Sequence, residues 1–296
     1  MADLKAVKMT SEAARRLRAA RGNGRIHSAY ARTINILIGE TPTAPWISLH
    51  GGTSIPSPFG IACHGWPEAA PSPGSAVTFG AAIRFETSSL HTDKAMITEN
   101  RLPGPLPAPD PQILALALEQ QANGLLPVAA AVLGAGRAPA DALGRKALPL
   151  LTRLFETAKT LDDPVAAQEA LEPLLGLGPG LTPSGDDCIV GWLAGAFTAR
   201  PEGRPFVASL RAGLLASASR TNELSRACLE AAFDGAVSEP VYRFATTRTV
   251  EALTELVSTG ETSGGDLLAG YLIARTALVP PKAPDKPSRG FFGFRR

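Results

Sequence analysis

The sequence predicts an α+β protein: an N-terminal β-rich domain followed by a mainly helical C-terminal domain. Two observations carry that reading. From about Arg25 to Glu99 the apolar runs are short and broken by glycine and proline, whereas beyond Pro111 apolar residues recur at three- and four-residue spacing. Between them "RLPGPLPAPDP", Arg101 to Pro111, holds five prolines, can continue neither regular structure, and marks the boundary. A chain of 296 residues that is 45% hydrophobic and 19% charged has a sizeable core to bury and is too apolar to be disordered.

Taken in order, residues 1–24 read as an N-terminal tail or helix. A β-rich domain over 25–105 draws its strands from "RIHSAYARTINILIG", "PWISLHGG", "FGIACHGW", "AVTFGAAIRFE" and "KAMITEN". A helical domain over 106–280 follows, with about seven helices, among them "DALGRKALPLLTRLFETAKTL", "NELSRACLEAAFDGA" and "DLLAGYLIARTAL", and the apolar run "CIVGWLAGAF" reads as a buried helix. Residues 281–296 combine proline with Lys and Arg without periodicity and read as a disordered tail.

The formal net charge is only +2, with basic residues gathered in "RRLRAARGNGR" and "KPSRGFFGFRR", which read as solvated tails rather than a nucleic-acid footprint. Cys63, Cys188 and Cys228 are odd in number and far apart, which argues against a disulfide framework or a metal knuckle and for a reducing cytoplasm. No apolar leader and no run of membrane-spanning length occurs, so neither export nor a membrane span is expected.

The most informative stretch is "GLGPGLTPSGDD", Gly176 to Asp187. A glycine-rich turn ahead of a helix leaves backbone N–H groups unpaired at the positive end of the helix dipole, and the Thr182 and Ser184 hydroxyls add donors, which makes an anion or phosphate cradle. A capped helix start, with Asp186 and Asp187 complementing the dipole, is the plainer alternative. Capping needs one carboxylate rather than two, and Gly176, Gly178, Gly180 and Gly185 are more flexibility than a cap requires. Two carboxylates would repel a phosphate unless Mg²⁺, or the N–H donors of an amide or carbamoyl substrate, lay between. No G-K-[ST] follows, so this is not a Walker A loop.

The motif has an echo. "SGDDCIVGW" from Ser184 and "SGGDLLAGY" from Ser263 align Asp187 with Asp266, Gly191 with Gly270 and Trp192 with Tyr271. Each serine can serve as N-cap with the Asp completing a capping box, and each glycine permits close helix packing, with Trp192 and Tyr271 in the core. A further candidate is "SASRTNELSR", where Arg220 between Ser219 and Thr221 could clamp phosphate; the alternative is an N-cap at Thr221 or Asn222 with Arg220 solvated. His50 and His64 fall at strand ends and are assigned no catalytic role; neighbours Cys63 and His64 would point to opposite faces. Cys188 reads as a buried structural thiol.

The pair "GLGPGLTPSGDD" and "TSGGDLLAG", with "GRIHSAYARTINILIG" upstream, resembles the AllH-like oxamate carbamoyltransferase subunit family over roughly Gly24 to Leu278. The resemblance implies interconversion of oxamate plus carbamoyl phosphate with oxalurate plus phosphate in anaerobic purine or allantoin breakdown, by a chain that is one subunit of a several-protein enzyme. On that reading Gly178, Gly180, Thr182, Ser184, Gly185, Ser263, Arg220 and Thr221 bind substrate or phosphate. Asp186, Asp187 and Asp266 hold the carbamoyl or amide NH₂ or take the proton from the attacking nitrogen. No cofactor or metal is assigned, although Mg²⁺ stays open. The partners expected are the other carbamoyltransferase subunits and small-molecule substrates, in the cytoplasm. Two other classes remain: a Mg²⁺-dependent hydrolase or phosphotransferase using the same aspartates as ligands, and a non-catalytic scaffold subunit.

Overall fold

The computed structural model describes residues 2–278 apart from 42–43, 87, 108–109, 121–122, 138 and 160–161. It is α+β, a β-barrel followed by a helical region. The tail expected at 281–296 lies outside the described residues.

The reading of residues 1–24 as a tail or helix needs correction. Residues Ala2–Thr10 form strand β1, in which Leu4 and Ala6 are buried while Asp3 and Lys5 face out, and only then does helix α1 (Ser11–Ala19) begin, with the Thr10 side chain accepting from the Ala13 N–H. The period-2 alternation was present, but charged outward residues gave the segment the look of a solvated basic arm. Nor is "RRLRAARGNGR" a solvated tail. Arg15 and Arg16 both bond Glu12, which Arg101 also reaches, and Arg16 stacks 4.5 Å over the Phe59 ring. Burial alone would raise the Glu12 carboxyl, but these guanidinium groups outweigh it and bring it to about 2.

The remaining strands are β2 (Asn23–Ala29), β3 (Thr33–Leu37), β4 (Trp46–Gly51), β5 (Gly60–His64), β6 (Ala76–Phe79), β7 (Ile83–Phe85), β8 (Ser88–His91) and β9 (Met96–Thr98). Two predicted strands turn out to be hairpins, β2–β3 and β6–β7. The sheet runs β5-β4-β3-β2-β6-β7-β8-β1-β9, and a second, antiparallel pairing of β1 with β5 closes it into a barrel. Leu4, Ile26, Ile34, Ile36, Ile47, Leu49, Ile61 and Phe85 fill the interior. By the period of two, Thr33, Asn35, Ser48 and His50 lie on the other face of β3 and β4, towards the helices.

The helices are α2 (Pro111–Leu118), α3 (Leu126–Val132), α4 (Ala142–Thr157), α5 (Pro164–Leu171), α6 (Ser184–Ala199), α7 (Gly203–Ala216), α8 (Glu223–Phe233), α9 (Glu239–Thr247), α10 (Val250–Val257) and α11 (Ser263–Leu278). The periodicity missed α3 and α9. Both are short and carry a proline in the first turn, where its missing N–H costs nothing but where it reads in sequence as a break. Among the described residues no helix is long and apolar enough to cross a membrane.

Helices α6 and α11 are the centre of the helical region. Nearly every residue of both is buried, so neither has a polar face. Their contacts are reciprocal: a Cβ at Gly191 would collide with the Leu267 carbonyl, and one at Gly270 with the Cys188 carbonyl. The helices are parallel, with both N-termini at the same end: Gly191 lies against Leu267, and one turn further on Gly195 lies against Tyr271 and Ala274. At the other end the Arg275 guanidinium donates to the Thr198, Leu106 and Pro107 carbonyls. Trp192 and Tyr271 are core residues; Tyr271 meets the Phe244 ring edge-on at 5.6 Å.

Candidate functional site

The turn before α6 is built for a specific backbone path. Gly178 has φ +103°, a left-handed conformation that favours glycine, and a Cβ there would sit 3.1 Å from the Ser184 nitrogen. Gly185 lies so close to the Leu174 carbonyl that any side chain would collide with it. The expected serine N-caps are corrected here. Pro183 occupies the N-cap position of α6 and Ser184 is the first helical residue, as Ser263 is in α11. The hydroxyls cross between the helices instead: Ser263 approaches Asp187, and Ser184 approaches Asp266.

Each of the three aspartates has its own environment. Asp186 accepts from the Gly176 N–H at 2.9 Å and from the Thr221 hydroxyl, so it ties the glycine turn to the segment before α8. Asp266 is fully buried and accepts from the Leu125 N–H at 2.6 Å, under the tight turn at Gly124. Asp187 is 7% exposed; its Oδ2, like Oδ2 of Asp266, is buried without a protein partner. Burial raises all three carboxyls. Asp187 goes furthest, to about 8, with the Ser263 and Thr182 hydroxyls opposing the rise and the charges of Asp266 and Asp186 adding to it. Asp266 reaches about 6 because burial outweighs the Leu125 N–H and the hydroxyls of Ser184 and Thr262. Asp186 rises for the same reason, held back by Thr221 and Gly176.

Asp187 lines a cavity of about 330 Å³ between the helices and the barrel. Thr182 and Ser263 flank it, 3.1 Å apart through their hydroxyls, with Val190, Leu224, Val237 and Leu267 as apolar wall. The opposite wall consists of two cross-strand pairs, Thr33 with His50 and Asn35 with Ser48. Ser48 donates to Asn35 Oδ1 at 2.7 Å, and Asn35 Nδ2 donates to Ser28 at 3.0 Å. His50 Nε2 lies 2.9 Å from the Ser57 hydroxyl and Nδ1 3.4 Å from that of Thr33. Burial pushes the His50 imidazole down to about 4, so it is neutral near pH 7.

Of the residues expected at the site, Asp187, Thr182 and Ser263 meet in this cavity; Asp186, Asp266, Gly178, Gly180, Ser184, Gly185, Arg220 and Thr221 do not line it. Several N–H groups of the expected cradle are engaged within the chain: that of Gly185 donates to the Leu177 carbonyl at 2.8 Å, and those of Asp186 and Asp187 to the Pro183 carbonyl. The Arg220 side chain is half exposed and reaches Glu172 at 3.9 Å.

His50 and Ser57 were missed. The signal was a polar residue at alternate positions of otherwise apolar strands, Thr33 and Asn35 in "TINIL" and Ser48 and His50 in "WISLHG", which marks a sheet face turned to something polar. His64 is exposed at the end of β5. Cys188 is fully buried with its thiol pushed up, and Cys228, in the cavity wall, is pushed up to about 12 by burial. Among the described residues no three His, Cys, Asp or Glu side chains are grouped to hold a metal ion. A wider cleft of about 780 Å³, lined by Lys8, Arg32, Arg243 and Glu255, shares Thr33, His50, Pro56, Thr259 and Gly260 with the inner cavity.

Residues 5–98 match the model of the AllH family N-terminal domain, and residues 174–275 match that of oxamate carbamoyltransferase subunit AllH. The chain belongs to the AllH family. No solved structure matches it. The barrel wall of the cavity, from Thr33 to Pro58, falls in the first match, and the wall from Leu181 to Leu267 in the second, so both matched regions of this AllH-family chain line the cavity.

Proposed function

We propose that this chain is the part of a carbamoyltransferase complex that holds the carbamoyl group, interconverting oxamate plus carbamoyl phosphate with oxalurate plus phosphate. The observation that carries the reading is the buried Asp187 carboxyl, with Oδ2 lacking a protein partner, in the wall of a cavity rimmed with hydroxyls. A buried polar atom without a protein partner calls for a ligand or water, and a carboxyl that stays protonated at neutral pH can both donate to a carbamoyl oxygen and accept from its NH₂.

The raised carboxyls also remove a difficulty. A row of three ionised aspartates would repel phosphate, but burial keeps Asp187 mostly neutral near pH 7 and raises its two neighbours. A phosphate can therefore approach with no cation between, and we infer a metal-free reaction. The outer cleft supplies attraction: Lys8 and Arg243 are paired with Glu239 and Glu255, and Arg32, bonded to the Gly51 carbonyl, adds a positive charge that favours an anionic substrate at the mouth. Both helix N-termini point their positive ends the same way, beside Thr182 and Ser263, the place we assign to the phosphate or the developing oxyanion.

The AllH model describes a subunit, so we infer that turnover needs the partner subunits. We further propose that the complex works in the cytoplasm, in anaerobic purine or allantoin catabolism. The test is reconstitution. The purified chain alone should be silent with carbamoyl phosphate and oxamate, the complex should form oxalurate, and EDTA should leave the rate unchanged. Turnover by the single chain, or a rate that depends on Mg²⁺, would overturn the respective part of the reading.

A further inference from the structure

Ser57 stands between two prolines in "IPSPF", is buried, and shares the cavity with Asp187. Its loop is clamped. The Pro58 carbonyl accepts from the Thr10 hydroxyl at 2.9 Å and from Asn100 Nδ2 at 2.8 Å, and the same Asn100 nitrogen reaches the Val237 carbonyl in the helical region. The Phe59 carbonyl takes the Ser48 N–H. Beneath the pair is Gly60, where a Cβ would lie 2.3 Å from Ile55 Cγ2, 2.8 Å from Ser57 Oγ and 3.1 Å from His50 Cδ2. A serine that merely satisfied a buried histidine would not need a loop clamped from both the barrel and the helical region.

We propose that Ser57 is a nucleophile, with His50 as its general base and Thr33 as the group that orients the imidazole, and that the carbamoyl group passes through a Ser57 ester. The distances fit: nucleophile to base 2.9 Å, base to orienting hydroxyl 3.4 Å. When Thr33 accepts from Nδ1–H, the Nε2 lone pair is left facing Ser57 O–H. Ser57 Oγ attacks the carbamoyl carbon of carbamoyl phosphate, its proton passes to His50 Nε2, and the carbon–oxygen bond to phosphate breaks, the phosphate leaving with that proton. The oxamate nitrogen then attacks the ester carbon. A carbon–nitrogen bond forms, the bond to Ser57 breaks, and His50 carries the proton lost by nitrogen back to Ser57 Oγ. The Asp187 carboxyl donates to the carbonyl oxygen throughout.

The inference rests on the carbamoyl-transfer reading only for the identity of the group moved, and cyanate separates the two. Isocyanic acid adds across a hydroxyl to give the same carbamoyl ester, is small enough for the cavity, and needs no partner subunit. The full chain is incubated with cyanate and mapped by peptide mass spectrometry. The expected result is addition of one HNCO to Ser57 at least ~10-fold faster than to exposed Ser54 and Ser72, slowed by about 100-fold in His50→Gln, the scale of general-base assistance. Modification of lysines without Ser57, or a Ser57 rate unchanged in His50→Gln, overturns the dyad. Should that variant not fold, the Ser57 preference in the unaltered chain decides alone. A labelled Ser57 in a chain whose complex ignores oxamate keeps the dyad and removes the transfer reading; an unlabelled Ser57 in an active complex does the reverse.

Discussion

Helices α6 and α11 begin with the same motif, lie parallel against each other, and each offers its serine to the other's aspartate. Their aspartates nonetheless end in opposite situations. Each keeps a buried Oδ2 without a protein partner, but Asp266 accepts from the Leu125 N–H and is sealed under the Gly124 turn, whereas Asp187 lines the cavity that faces the barrel. The difference is not in the motif but in what covers it. The turn before α3 closes over one side of the pseudo-symmetric pair, and a sheet face carrying Asn35, Ser48 and His50 stands off from the other side. A duplicated structural device thus becomes a site on the side where the covering element leaves room.

The largest effect that could break this comparison falls on the packing the two helices share. Gly270→Val should cost more than the roughly 1–3 kcal/mol of ordinary overpacking, because the added carbons meet the Cys188 backbone carbonyl rather than a movable side chain. Chemical denaturation would show it, and a loss under 1 kcal/mol would mean that the helices are not seated as described.

Next is the sealed aspartate. Asp266→Ala leaves the Leu125 N–H buried and unpaired, so it should destabilise by about 1–3 kcal/mol, while Asp266→Asn, which keeps an acceptor, should lose less. Equal losses for the two variants would remove the hydrogen-bonding role.

The pH dependence separates the two carboxyls. For Asp187 the folded value of about 8 lies above the unfolded 3.8. Below pH ~3.8 both states are protonated and burial carries no ionic cost; as pH rises towards about 8 the unfolded chain releases the proton and the folded chain keeps it, so stability falls and then levels off. Asp187→Asn should abolish that slope and be more stable than the parent at pH 8. Asp266→Asn should flatten only the narrower window up to about 6. Thermal melts from pH 4 to 9 check both, and identical profiles for the variants would erase the distinction. The smallest effect concerns the outer cleft: Arg32→Ala should slow substrate capture several-fold at low salt and little at high salt, as screening of a surface charge requires.

The two halves of the fold were legible in the sequence because a change from short broken runs to three-and-four spacing is a local signal. So were the twin helix starts, since glycine, serine and aspartate at matched offsets survive any packing. Which aspartate stays open was not legible, because it depends on the Gly124 turn and the β3–β4 face, far away in sequence. Strand β1 was hidden by its outward charges, and α3 and α9 by prolines that stand where a helix tolerates them. His50 escaped because a histidine at a strand end looks ordinary until its cross-strand partner Thr33 and its loop partner Ser57 are seen together.

The most direct test places Asp187→Asn and Asp266→Asn side by side in the reconstituted complex, with oxalurate formation and melting temperature measured on the same preparations. If the open carboxyl does the chemistry, Asp187→Asn lowers the rate by about 100-fold or more with no loss of melting temperature, while any fall in rate for Asp266→Asn follows its fall in stability. Full activity in Asp187→Asn, or a rate loss in Asp266→Asn as deep at undiminished stability, would contradict it.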